Sequence, residues 1–191
     1  QLKQDGSVVA QRFNGREFLF TPKLHRSEVY AAARIGMLLR YPAQSIVGID
    51  HYIAVLEQEL SIRYAEMQKQ AIRKALSQGM LILTGGPGTG KTTTLNAIIQ
   101  ILERKGEKVL LAAPTGRAAK RMSDLTGKEA KTIHRLLQVE WDENDQPTFA
   151  KNEKNNLDCD ALVIDELSMV DVTIFEAVLR ALPLGCRLIL V

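Results

Sequence analysis

The sequence predicts an α/β protein, a parallel sheet flanked by helices, preceded by a hairpin and a small helical segment. Three observations carry that expectation. Beyond residue 79, short apolar runs at 80–83, 109–113, 161–164 and 188–191 are continuous rather than alternating, as strands covered on both faces are. Helical stretches separate them, at about 91–104, 115–125 and 171–181, which is the strand–helix alternation of βαβ units. A glycine-rich string at 85–92 lies between the first run and the first of those helices.

Taken in order, Val9, Gln11 and Phe13 alternate up to Asn14-Gly15, and Arg16, Phe18 and Phe20 alternate after it. Asn-Gly between such runs signals a hairpin, because both central residues of a type I′ turn need positive φ. Val29, Ala32, Ala33, Gly36, Met37 and Arg40 then recur at helical spacing over 25–40, with Ser27 and Glu28 as start signals and Tyr41-Pro42 as the break. A second helix is expected at 50–60 behind an Asp50 N-cap, with Tyr52, Ile53, Leu56 and Leu60 on one stripe. A third is expected at 65–78, with Gly79 as its C′ residue. The polar, Asn-rich stretch 140–158 reads as an insertion loop or a small hairpin. The implied division is a hairpin from a neighbouring domain or seam (1–21), a helical segment (22–78) and a sheet domain (79–191).

The chain has 191 residues, 46% hydrophobic and 25% charged, which excludes disordered, collagen-like and coiled-coil classes. Cys159 and Cys186 are too few for a disulfide framework and lack metal-ligand spacing, so they read as buried small apolar residues in a reducing, cytoplasmic setting. No apolar run reaches membrane-spanning length, and no membrane partner is expected. The first residue is Gln, and the last four are an apolar run, so a piece of something longer is expected. Charge is uneven. Residues 80–140 carry 10 Lys/Arg against 5 Asp/Glu, whereas 141–191 carry 4 against 10. A basic middle beside an acidic end suggests an anionic partner on one surface and a cation site on another, or else solvated helix faces.

Gly85-Gly86-Pro87-Gly88-Thr89-Gly90-Lys91-Thr92 fits G-x-x-x-x-G-K-[ST] between a strand and a helix. Glycines let successive backbone N–H groups approach phosphate oxygens, and the following helix adds its N-terminal dipole. Lys91 supplies a point charge to the terminal phosphates, and Thr92 a hydroxyl to Mg²⁺. Val163-Ile164-Asp165-Glu166 places two acids at the end of an apolar strand. On a neighbouring parallel strand they would face the same crevice, Asp165 holding Mg²⁺ and Glu166 activating a water. Two adjacent acids favour hydrolysis over kinase-type transfer, and the absence of N-K-x-D argues against a guanine-specific GTPase.

Further strings give the sequence a family likeness. Tyr64-Ala-Glu-Met-Gln68-Lys-Gln-Ala-Ile72 resembles a Q motif, in which Gln68, and less well Gln70, matches an adenine-reading glutamine. Ala113-Pro114-Thr115-Gly116-Arg117-Ala118-Ala119 resembles motif Ia, Lys131 to Leu137 the T-I-H-R-L-L string, and Asp165-Glu166-Leu167-Ser168-Met169-Val170-Asp171 motif II. The run 187–191 resembles the strand leading into motif III. The ordered set is similar to the superfamily 1 DNA helicases, RecD-like branch, well over 60–191 and loosely over 1–59.

That resemblance implies a RecA-like fold, ATP and Mg²⁺ as cofactors, and ATP hydrolysis coupled to 5′ to 3′ movement on single-stranded DNA. It makes Gln68, Gly86, Gly88, Thr89, Gly90, Lys91, Thr92 and Thr93 the nucleotide contacts, with Lys91, Asp165 and Glu166 catalytic and Thr92 and Asp165 on the metal. It makes Pro114, Thr115, Gly116, Arg117, Thr132 and His134 the DNA contacts. The implied partners are a second RecA-like domain, which contributes transition-state arginines, and the subunits of a nuclease complex. Without that second domain, weak nucleotide binding and little unwinding are expected. The residues themselves leave simpler readings open: Thr115 as an N-cap, Arg117, Lys120 and Arg121 as a solvated face, His134 as a structural histidine, Trp141 as a packed residue rather than a base platform. A P-loop phosphotransferase and a nucleotide-regulated assembly module are the competing functions.

Overall fold

The computed structural model describes residues 7–86, 88–141, 143 and 147–191. Pro87 of the glycine-rich string, and Asp142 and 144–146 of the Asn-rich stretch, lie outside the described residues. The chain opens on the expected antiparallel hairpin, β1 (Val9–Phe13) with β2 (Arg16–Phe20), turning at Asn14 and Gly15 with φ of 48° and 76°.

Helix α1 (Pro22–Arg40) starts earlier than Ser27-Glu28 suggests. Pro22 occupies the first helical positions after Thr21, where its fixed φ is already helical and its missing N–H is not needed. Ser27 is instead buried in the helix, donating to Glu176 Oε2 at 2.5 Å. Helix α2 (Ile49–Glu59) is capped by Gly48 rather than Asp50. Asp50 lies in the first turn and pairs with Arg73 at 2.8 Å. Helix α3 (Glu66–Ser77) ends at an extended Gln78, and Gly79 is not a left-handed C′ residue. Its glycine identity serves a close crossing: a Cβ there would strike Leu38 O and come within 2.9 Å of Pro42 Cα.

Among the described residues, five parallel strands form the main sheet: β3 (Met80–Ile82), β4 (Val109–Ala113), β5 (Ala130–Thr132), β8 (Ala161–Ile164) and β9 (Arg187–Leu190). Their spatial order is β3-β9-β8-β4-β5. Between β5 and β8, β6 (Val139–Trp141) and β7 (Pro147–Phe149) make a separate small hairpin within the Asn-rich stretch. Strand β5 escaped the sequence reading because it has three half-buried residues and no apolar run.

Helices α4 (Lys91–Arg104), α5 (Gly116–Thr126), α6 (Ile133–Leu136) and α7 (Val172–Ala181) connect the strands. Successive strand residues feed opposite cores, as a period of two requires. Ala112, Leu162, Ile164, Leu188 and Leu190 pack with α1, α6 and α7. Leu111, Ala161, Val163 and Ile189 pack with α2, α3 and α4. Each fully buried Leu or Ile contributes about 1.5–3 kcal/mol, so the two-faced coverage is what makes short strands of three to five residues hold.

One charged residue sits inside this packing. Arg187, 1% exposed, opens β9 and donates to Leu76 O at 3.0 Å, to Gln78 O at 3.5 Å and to Gln44 O, while pairing with Glu107 at 3.2 Å. It ties the end of α3 and the segment before α2 to the sheet.

Candidate functional site

The phosphate-loop strand β3 and the acid-bearing strand β8 were expected to be neighbours, but β9 lies between them. Both still run parallel and end on the same edge of the sheet. One intervening strand separates them by two strand spacings, about 10 Å. A phosphoryl group and a water fit across that gap more readily than across a single spacing.

Two cavities open on this edge. One, of about 470 Å³, is lined by Gly85, Lys91, Thr92, Leu95, Arg121, Leu125, Asp165, Glu166 and Val191. The loop lysine, the hydroxyl and both acids therefore meet, as the sequence suggested. The other, of about 370 Å³, includes Met67, Gln68, Gln70, Ala71, Lys74, Leu81, Ile82, Thr89 and Lys91 in its wall. Gly85 and Lys91 border both.

Local chemistry shows how the loop is held. Lys91 Nζ donates to Gly86 O at 3.0 Å and also to Gly85 O, so the side chain closes back over its own loop. A phosphate entering here exchanges two carbonyl acceptors for its own oxygens. Thr89 Oγ1 donates to Gly86 O at 2.9 Å and tightens the turn. Gly90 caps α4 with φ 79°, and its carbonyl accepts from Thr94 Oγ1 at 3.0 Å. Thr93, in the first turn of that helix, is exposed. Gln68 is braced at both ends of its amide: Oε1 accepts from Ala65 N–H at 2.8 Å and Nε2 donates to Gly90 O at 3.3 Å. One N–H and one lone pair are left to it. Gln70 lies in the same cavity wall, so both glutamines of the string reach it.

The acids occupy a special backbone. Asp165 Oδ1 accepts from Glu166 N–H at 2.9 Å, and Glu166 has φ 55°, a left-handed conformation that a non-glycine residue enters at a cost. This bend aims the second acid away from the strand direction. Among the described residues no group of three or more His, Cys, Asp or Glu could hold a metal. The hard oxygen donors in the cavity, Thr92 and Asp165, nevertheless suit Mg²⁺, which keeps most of its waters and takes one or two protein ligands.

A second group of predicted residues lies at the same sheet edge, beyond β4 and β5. Ala113 and Thr132 are register partners, so Pro114, Thr115 and Thr132 leave adjacent strand ends together. Thr115 Oγ1 accepts from Ala118 N–H at 3.2 Å and Thr132 Oγ1 from Arg135 N–H at 3.3 Å, so each caps the helix it starts. The N-cap reading of Thr115 holds, and the cap places it at the positive end of an eleven-residue helix. Gly116, Arg117 and His134 are exposed beside these caps. Downstream, burial pushes the Asp171 carboxyl up, but hydrogen bonds from Thr173 and the Ile174 N–H, with the nearby His134 charge, outweigh it and hold Asp171 below the usual carboxylate range.

Other sequence expectations divide. Trp141 is 65% exposed on β6, away from both cavities, so it is not a packed anchor. Cys159 and Cys186 are buried and free, their sulfurs 3.6 Å apart. Arg117, Lys120 and Arg121 are all exposed, as one solvated helical face would be, and Arg121 also borders the acid-lined cavity together with Leu95 and Leu125. Only its four-residue spacing to Leu125 hinted at that. No helix of the described residues is long and apolar enough to cross a membrane.

Residues 68–191 match the family described as an AAA domain. The chain is similar to the ATP-dependent RecD2 DNA helicase of Deinococcus radiodurans, 33% identical over 177 residues, covering 93% of this chain and 24% of that protein. It is also similar to the RecBCD enzyme subunit RecD of Mycolicibacterium smegmatis, 38% identical over 149 residues, with 66% and 26% covered. The ATP-dependent DNA helicase dda of Enterobacteria phage T4 is 37% identical over 134 residues, with 65% and 30% covered. The chain spans about a quarter of the length of these curated relatives.

Proposed function

This chain belongs to the AAA domain family, in its RecD-like superfamily 1 helicase branch, and from that membership we propose that it is the first RecA-like motor domain of an ATP-dependent DNA helicase. The observation that carries the reading is the shared wall: Gly85 and Lys91 border both cavities, one edged by Gln68 and apolar side chains, the other by two acids. A nucleoside triphosphate laid along that wall sets its base against Gln68, Met67 and Ala71, its phosphates over Gly86, Gly88, Thr89, Gly90 and Thr93, and its terminal phosphate before Asp165 and Glu166. The remaining N–H and lone pair of Gln68 match the donor and acceptor on the adenine edge.

Thr92 and Asp165 are the residues that would hold Mg²⁺, which when bound neutralises phosphate oxygens and acts as a Lewis acid. Lys91 draws charge from the bridging and terminal oxygens as it builds up. Glu166 accepts a proton from the attacking water and orients it. On the adjoining edge, the cap hydroxyls of Thr115 and Thr132 and the N-terminus of α5, with Pro114, Gly116, Arg117 and His134, form the surface we assign to single-stranded DNA phosphates.

In this reading residues 79–191 are the ATPase domain, 22–78 its helical lead-in and 1–21 a hairpin at the seam with a neighbour. The RecD-like resemblance implies 5′ to 3′ movement, a second RecA-like domain and, for the nuclease-complex relatives, further subunits. Because arginines from such a second domain are worth about 10³–10⁵ in rate, this chain alone is expected to bind ATP, turn it over slowly and not unwind duplex DNA. The test is ATP binding and hydrolysis by the chain and its Lys91→Ala variant, with and without single-stranded DNA. The expected result is ATP binding that Lys91→Ala lowers about 10–100-fold, as loss of charge-assisted hydrogen bonds does. Equal ATP binding by parent and variant overturns the assignment of the site.

A further inference from the structure

We infer that Arg121 is a second, in-chain cation for the terminal phosphate, an inference that rests on the nucleotide-site reading above. Helix α5 brings Arg121 to the acid-lined cavity, whose wall it shares with Lys91, Thr92, Asp165 and Glu166. Leu95 and Leu125 line the same wall, apolar surface of the kind on which a long charged side chain lays its stem.

The lack of a partner for Arg121 is informative because of the carboxylates beside it, since exposed Arg117 and Arg135 also hold no ion pair among the described residues. Among the described residues Arg73, Arg104, Arg180 and Arg187 all hold carboxylates in ion pairs. Arg121 shares a cavity with two carboxylates, yet it makes no ion pair or hydrogen bond among the described residues. Asp165 spends one oxygen on the Glu166 N–H instead. Lys91, the other cation of the cavity, is turned onto the loop carbonyls. The cavity wall thus carries two acids and two cations, and Arg121 has no protein acceptor among the described residues.

A bound triphosphate supplies one. Its inner phosphates lie along the loop, and its terminal phosphate extends past Thr92 toward the acids, into the space Arg121 borders. The planar guanidinium presents a fork of N–H donors that holds two phosphate oxygens at once. A diphosphate stops short of that space. Arg121 therefore distinguishes the substrate from the product of hydrolysis, and it offsets the repulsion between the terminal phosphate and Asp165 and Glu166.

The experiment is isothermal titration of the chain with a non-hydrolysable ATP analogue and with ADP, both with Mg²⁺, for the parent, Arg121→Ala and Arg121→Lys. Arg121→Ala is expected to weaken the triphosphate analogue about tenfold, the size of one charge-assisted contact, and ADP less than twofold. Arg121→Lys, which keeps the charge and loses the fork, is expected between the two. Arg121 is exposed, so the substitutions leave the folded packing intact, which matching melting curves will check. Equal weakening of both nucleotides, or of neither, overturns the inference while the nucleotide site stands. A parent chain that binds neither nucleotide overturns the site reading itself, and this inference with it.

Discussion

Two clusters of opposite charge lie within one sheet, and they are built on opposite rules. At the start of β9, Arg187 is buried, and its guanidinium is spent on Glu107 and three backbone carbonyls. At the ends of β3 and β8, Lys91, Arg121, Asp165 and Glu166 share an open cavity, and none of the four pairs with another. The first cluster satisfies every group it buries; in the second, the Arg121 and Glu166 side chains have no partner among the described residues. A charge that is fully spent on the protein holds the protein together, whereas a charge left over is available to a ligand. The Arg187 cluster is therefore a joint, and the cavity is the candidate site.

The sharpest way to break this comparison is at Arg187. Arg187→Met removes one member of a largely buried pair and strips donors from Leu76, Gln78 and Gln44. The expected loss is about 3–5 kcal/mol, read as a lower midpoint in denaturant. Arg187→Met combined with Glu107→Gln should recover part of that loss, because the stranded carboxylate is gone. If the single variant is as stable as the parent, the cluster is not a joint.

Glu166 tests the other side, with an effect of opposite sign. Its left-handed backbone costs energy that the fold supplies. Glu166→Gly removes the steric conflict and is expected to raise stability by about 1 kcal/mol, seen as a higher melting temperature, while ATP turnover falls. A melting temperature that drops means the Glu166 side chain supports the fold, and the contrast between the clusters fails there.

Asp171 lies between the two extremes, since its carboxylate caps α7 yet belongs to the string that carries the acids. Asp171→Ala should cost about 1 kcal/mol at neutral pH. The folded carboxyl is held below its ordinary value, so its contribution is present above the unfolded pKa, near about 4, and disappears as pH falls through the lower folded value. Melting curves of parent and variant are therefore expected to differ at pH 7 and to converge in strong acid. A gap that does not depend on pH would assign the loss to packing.

What could be read in advance follows the same division. The phosphate loop and the acid pair are contiguous strings whose chemistry is local, so residue order alone proposed Lys91, Thr92, Asp165 and Glu166, which the structure brings to one cavity. The Asn14-Gly15 hairpin was legible for the same reason. Strand order was not, because the placement of β9 between β3 and β8 depends on pairing between residues distant in the chain. Gly79 looked like a helix terminator because a glycine after a helix usually is one; its actual reason is the Leu38 carbonyl passing above it, which only the folded chain brings there. Ser27 looked like a helix start because its partner, Glu176, is far along the sequence. Arg187 was hidden similarly, because only its burial sets it apart from other arginines, and Arg121, which stays exposed, is set apart only by the cavity it borders.

The position of β9 also sets a timetable. Strand β3, which carries the phosphate loop, touches the sheet through β9 alone, Met80 pairing with Leu188 and Ile82 with Leu190. During synthesis at about 5–20 residues per second, the ribosome finishes the loop roughly 5–20 seconds before it makes the strand that anchors it. Strands β4, β5 and β8 can find one another in that interval, but Met80–Ile82 has no edge to join. The phosphate loop is thus anchored to the sheet only after Arg187–Leu190 has been made. A newly made chain therefore does not hold a sheet-anchored phosphate loop until β9 is available to pair with β3.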